Sequence, residues 1–286
     1  FFGRQNAKIP MFLTIWINLL NIVCSYYLVK HAGLGIRGAA WGTSVAQYSG
    51  FILGVLLIWV QFGDQIRRGI PSIQPDIEEF KGFFRLNRDI FLRTLFLSTA
   101  FAFFNAQSAI QGPYILAANV IFLQYLNWMS YGIDGFAFAT ESVIGKYHGK
   151  DDKTSLDALL KAVFFWGTFV AILYGLAYNL FGSIIFDLFT KEYIPREFKQ
   201  NVLNWAAITP IFGFAAYIWD GVFVGLTASK AMRNSMLFAF LIYIPVHFAL
   251  LSFWPHQGML MAINLFLLGR ALIQYFLFRK KRWTLK

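Results

Sequence analysis

Eight uninterrupted apolar runs, each about 20 residues long, decide what this chain can become. They lie at approximately 10–29, 38–60, 94–111, 114–140, 162–185, 201–226, 235–253 and 258–278. A helix of that length crosses the hydrocarbon of a bilayer. The other structure that can cross is a closed β-barrel, because hydrocarbon leaves no backbone polar group a water to bond. Barrel strands alternate polar and apolar residues, and these runs do not. The expected fold is all-α and integral to the membrane, a polytopic bundle of eight transmembrane helices. Composition points the same way. The 286 residues are 58% apolar and include 33 Phe, with only 14% charged, where a soluble domain carries about 25%.

The net charge of +11 raises the question of nucleic acid. The basic residues, however, lie at the ends of apolar spans and not on one soluble face, so no nucleic-acid partner is expected. Their asymmetry sets orientation. With the C-terminal tail of Arg279, Lys280, Lys281, Arg282 and Lys286 placed in the cytoplasm, the outer segments hold only Lys30, Arg37, Lys191, Arg196 and Lys199. The N-terminal stub, 61–93, 141–161 and 227–234 then lie inside with the tail.

The long inner segment is more than loop. From Pro75, Ile77, Phe80, Phe83 and Phe84 recur at helical spacing between Glu78, Glu79, Lys81 and Arg85. This pattern predicts an amphipathic helix in the membrane interface. Three regions follow: 1–62 with two spans, 63–93 as cytoplasmic linker, and 94–286 with six spans and the basic tail. Spans one and two look like a copy of spans seven and eight, with Asn18 and Asn21 standing where Pro245 and His247 stand. A six-helix repeat unit would make spans three to eight one complete unit and the first two the tail of another. Such repeats are common in secondary transporters. The chain opens Phe1-Phe2-Gly3 with no methionine and no signal peptide, so Phe1 is not expected to be the natural start.

Polar residues inside the spans carry the functional question. Asp134 lies in Tyr131-Gly132-Ile133-Asp134-Gly135, and Asp220 repeats the pattern as Trp219-Asp220-Gly221 near the middle of the sixth span. A carboxylate at the centre of a membrane helix costs at least about 2.5–3.5 kcal/mol. It is kept there by a partner, a wet cavity or a proton. Asp134 is either a protonatable or cation-binding group in a cavity or half of a structural pair, for which Arg270 is the obvious mid-span partner. Arg270 could equally offset Asp220. Glu141 reads as an interfacial carboxylate near Lys146. Asn18, Asn21 and Ser25 share one helix face, and Thr43 opens the next span. Amides and hydroxyls at this depth either hydrogen-bond between helices or line a polar cavity. Asn105, Gln107, Ser108 and Gln111, then Asn119, Gln124 and Asn127, suggest a substrate-facing surface. Pro210 is expected to bend the sixth span.

Enzyme signals are thin. There is no phosphate-binding glycine loop, no His-Glu-x-x-His, no paired cysteines and no nucleophile elbow. The single Cys24 excludes an internal disulfide, and His31, His148, His247 and His256 are scattered, so neither metal nor cofactor is expected.

Gly3-Arg4-Gln5-Asn6-Ala7-Lys8-Ile9-Pro10-Met11, Asn18-Leu19-Leu20-Asn21-Ile22 and Gly38-Ala39-Ala40-Trp41-Gly42-Thr43 resemble the middle of a multidrug and toxic compound extrusion (MATE) transporter. So do Leu86-Asn87-Arg88-Asp89-Ile90-Phe91-Leu92-Arg93, Asp134-Gly135-Phe136-Ala137 and Met232-Arg233-Asn234-Ser235-Met236. The combination is most similar to the DNA-damage-inducible, DinF-like branch. The resemblance implies a twelve-helix, two-lobe fold in a bacterial inner membrane, of which this chain supplies helices five to twelve. It implies cation-coupled export (proton or sodium) of organic cations, drugs or toxic metabolites by alternating access. The partners would be a small-molecule substrate and the lipid bilayer, with the protein a monomer. In such transporters a cation-linked polar cluster draws on the N-terminal lobe. Asn21 and Thr43 match it, but Ser25 stands where the family usually has Asp. Other branches place acids in the C-terminal lobe, where Asp134 and Asp220 fall. Two rivals stay open: a flippase for lipid-linked precursors, and a non-transporting membrane scaffold or membrane enzyme.

Overall fold

The computed structural model describes residues 8–68 and 77–280. Eight long helices account for nearly all of them: α1 Lys8–Tyr26, extended by a π-helical turn Tyr27–His31, α2 Gly35–Arg68, α3 Ile77–Gln111, α4 Pro113–Gly149, α5 Lys153–Phe189, α6 Arg196–Gly225, α7 Ser229–Phe253 and α8 Pro255–Lys280. No strand occurs among the described residues. By length and composition all but α4 qualify as membrane spans. Asn119, Gln124 and Asn127 lower the apolarity of α4. It can carry them because much of its surface, from Ile115 to Ile144, is buried against other helices and not against lipid.

The chain divides into two compact units, residues 1–77 and 78–286. In the first, α1 and α2 form an antiparallel hairpin. Its turn uses Gly33 and Gly35 at φ +66° and +52°, a region open to glycine at no steric cost. The absence of a side chain at Gly42 and Gly50 lets α2 close on Ser25 and Ile17 of α1. Small residues at such crossings are how membrane helices gain van der Waals contact without a hydrophobic driving force.

In the second unit α6 is the hub, packing on α4, α5 and α8, while α7 packs on α8. The amphipathic stretch expected from Ile77 onward is the start of α3 itself, which continues unbroken to Gln111; Pro75 lies outside the described residues. α6 likewise runs through Pro210 without a break. The turn into α5 is capped by Asp152, whose carboxylate accepts the Ser155 N–H at 3.0 Å. Hydrogen bonds from Ser155 hold that carboxyl below the usual carboxylate range.

Two glycines set the distance between α4 and α6. A side chain at Gly221 would strike the Ala137 carbonyl, and one at Gly225 would meet the Glu141 carbonyl at 2.7 Å. Both obstacles are backbone and cannot rotate away. Gly221→Val is therefore expected to force the helices apart and cost about 1–3 kcal/mol, the usual penalty of overpacking. Thermal unfolding of the detergent-solubilised protein checks this, with Gly135→Ala as the control, because open space surrounds Gly135.

Candidate functional site

Asp220 lies in the last turns of α6, closer to the helix end at Gly225 than the mid-span position expected. Its Oδ2 accepts from both Arg93 of α3 and Arg270 of α8. Its Oδ1 accepts from Gln274 Nε2 at 2.8 Å. Arg270 and Gln274 are one helical turn apart on α8 and so share a face. Arg270 is fully buried. It also donates to the Ala216 carbonyl at 3.3 Å, and its guanidinium carbon stands 5.5 Å from the centre of the Tyr217 ring.

Arg270 therefore pairs with Asp220 and not with Asp134, the partner that its position first suggested. The reason is packing: α6 and α8 touch directly, and Asp220 faces the groove that Arg270 fills. Asp134 is half-buried on α4 and makes no hydrogen bond or ion pair among the described residues. It lies in the electrostatic field of Asp220, Arg270 and Arg93 together. The structure thus gathers two acids and two bases from four helices. Glu141 stands apart from them, half-buried, with no ion pair to Lys146 among the described residues.

Arg93 was missed in the sequence because it closes a basic segment that reads as linker. One turn earlier on the same face of α3 is Asp89, only 2% exposed. It accepts from Arg233 at 2.5 Å and from the Ser229 hydroxyl at 3.3 Å, both on α7. The face of α3 bearing Asp89 and Arg93 thus ties that helix to α7 and α6.

A second buried polar group joins the opposite ends of these helices. Asn119 donates to the Ser108 hydroxyl at 2.8 Å, and its oxygen faces His256 Nε2 at 3.0 Å. His256 Nδ1 faces Asn201 Nδ2 at 3.3 Å, and Asn201 accepts from Gln257 at 2.9 Å. The order of donors asks Nε2 of His256 to carry the hydrogen and Nδ1 to accept. Asn119 is therefore tied up between helices and does not face a free cavity. Of the other residues read as substrate-facing, Asn105 has a buried side-chain oxygen with no partner, and Gln107 and Asn127 make no side-chain hydrogen bond among the described residues. His247 is buried with both ring nitrogens unpartnered, boxed by Phe103, Tyr243 and Phe248.

In the first unit, Asn21 donates to the Thr43 hydroxyl at 3.1 Å and accepts from Ser25 at 3.3 Å. The three residues singled out there are in contact. Asn18 is exposed and outside the trio.

The MatE family model matches residues 90–249. DNA damage-inducible protein F of Escherichia coli is 32% identical over 240 residues, covering 83% of this chain and 52% of that protein. The probable multidrug resistance protein NorM of Photorhabdus laumondii is 23% identical over 90% of this chain and 58% of its own length. The chain thus spans little more than half the length of these relatives. Among solved structures, a point mutant of the Vibrio cholerae MATE transporter VcmN superposes with a TM-score of 0.86, at 17% identity, over 99% of this chain and 65% of that one. A MATE structure in the bent conformation gives 0.81 at 18% identity over 98% of this chain and 62% of that one.

Proposed function

The chain belongs to the MatE family, and on that premise we propose that it forms part of a cation-coupled antiporter, driven by protons or sodium, that exports organic cations, drugs or toxic metabolites by alternating access. The observation that carries this reading is the charge cluster Arg93–Asp134–Asp220–Arg270. Four helices converge to hold buried charges whose desolvation is costly. A scaffold would be as stable with apolar residues there. A transporter has a use for them, because an ion taken up or released by the cluster biases one arrangement of helices over another. The names of the relatives, a multidrug resistance protein among them, favour small toxic molecules as cargo. The basic bias at one set of helix ends supports a C-terminus in the cytoplasm, and the bacterial relatives favour a bacterial inner membrane. The protein is read as a monomer.

The test is reconstitution into liposomes loaded with a fluorescent cationic dye. A pH or sodium gradient imposed across the membrane is expected to accelerate dye efflux. Efflux indifferent to both gradients would count against coupled transport.

A further inference from the structure

The groups around Asp220 restrict which ion the cluster can use, and this inference rests on the transport reading above. Both Asp220 oxygens are already committed, Oδ2 to two guanidiniums and Oδ1 to the Gln274 amide. A hard cation such as sodium needs several oxygen ligands. At Asp220 it would meet N–H donors instead and would have to displace Arg270, which is fully buried. That displacement would leave a buried guanidinium without its counter-ion, the costly outcome for any buried pair. Asp220 is thus a fixed ionised partner of the two arginines.

Asp134 is placed differently. It has no hydrogen bond or ion pair among the described residues, and it is half-buried. The ionisable groups around it are Arg93 from α3, Tyr217 and Asp220 from α6, and Arg270 from α8. On the α5 side, Tyr174 packs against Gly132. With Asp134 ionised the cluster holds two positive and two negative charges. With Asp134 protonated it keeps one surplus positive charge, while Arg93 Nε and Arg270 Nε and Nη1 are already buried without partners. Loading the proton therefore removes the attraction between α4 and the arginines of α3 and α8. A proton needs no coordination shell, whereas a sodium ion at Asp134 would sit beside two immobile positive charges.

We propose that Asp134 is the proton-carrying group of this cluster, that Asp220 is its permanent counter-ion, and that Arg93 and Arg270 make the site selective for H+ over Na+. The proton added to the Asp134 carboxylate comes from solvent on one side and leaves to the other, with no covalent step.

Infrared difference titration of the purified protein tests this without requiring transport. Wild type is expected to show a titrating carboxylic C=O band that disappears in Asp134→Asn, with one proton fewer taken up per molecule, and that does not move when sodium replaces potassium. A band that survives unchanged in Asp134→Asn, or one that sodium suppresses, would overturn the proposal. Asp134→Asn replaces a half-buried group without a hydrogen-bond partner, so the fold is expected to persist; retained thermal unfolding of the variant verifies that. Dye efflux measured on the same preparation separates the two readings. A titrating Asp134 with no gradient-driven efflux would sink the transport reading and leave the proton site standing. Gradient-driven efflux with no Asp134 band would do the reverse.

Discussion

Replacing Asp220 with Asn is expected to destabilise the protein by about 3–5 kcal/mol, the cost of removing one partner from a buried ionic network. The change is nearly isosteric, so the loss is electrostatic. Two guanidiniums, one of them fully buried, would face an amide with one acceptor and a new N–H2 donor. The Gln274 Nε2 now donating at 2.8 Å would then meet either a donor or an oxygen it must share. Thermal unfolding in detergent reads the effect. Arg270→Ala should cost a similar amount, because it takes from Asp220 the fully buried one of its two guanidinium partners and empties a space against Tyr217. The double variant Asp220→Asn, Arg270→Ala should cost less than the sum, since neighbours in one network are not additive. Strict additivity would mean that the two side chains do not stabilise each other.

The second large effect is functional. Asp134→Asn should leave unfolding within about 1 kcal/mol of wild type, as expected for a half-buried side chain with no hydrogen bond or ion pair to lose among the described residues. Its effect on transport should be far greater. If proton binding at Asp134 biases the two states, removing it deletes a coupling free energy of about 1–3 kcal/mol, or roughly 5–150-fold in the response of efflux rate to pH. Efflux rates in proteoliposomes at two or more internal pH values check this. The contrast between the two acids is informative. Asp220→Asn acts on stability and Asp134→Asn on coupling, although the side chains belong to one cluster.

Much of the architecture was legible in the sequence because lipid imposes a simple rule. Every span must be about 20 apolar residues long, and each of the eight runs coincides with one helix, the first reaching into the π-helical turn after α1 and the sixth ending one residue past α6. The ends were harder to read. α3 begins at Ile77, well before the apolar run at 94, because an amphipathic stretch and a span can share one continuous helix. Asp134 and Asp220 stood out, since charge at membrane depth is rare. Their partners did not. Arg93 is separated from Asp220 by 127 residues and Arg270 by 50, and hydrophobic periodicity says nothing about which faces of non-adjacent helices meet. Two quoted motifs turned out to touch: Asp89 of Asn87-Arg88-Asp89 accepts from Arg233 of Met232-Arg233-Asn234. Asn119 read as a cavity residue because one amide per turn looks alike whether it faces water or another helix. Only the hydrogen bonds of Asn119 to Ser108 of α3 and His256 of α8 distinguish the two cases.

The most direct test of coupling through this cluster follows protons and substrate together. Liposomes containing the reconstituted protein, a trapped pH indicator and a dye substrate are placed in sodium-free buffer. Protons are expected to enter as the dye leaves, and Asp134→Asn should abolish that proton entry. Dye efflux without proton movement in wild type, or undiminished proton entry in Asp134→Asn, would contradict the assignment of Asp134 as the coupling group.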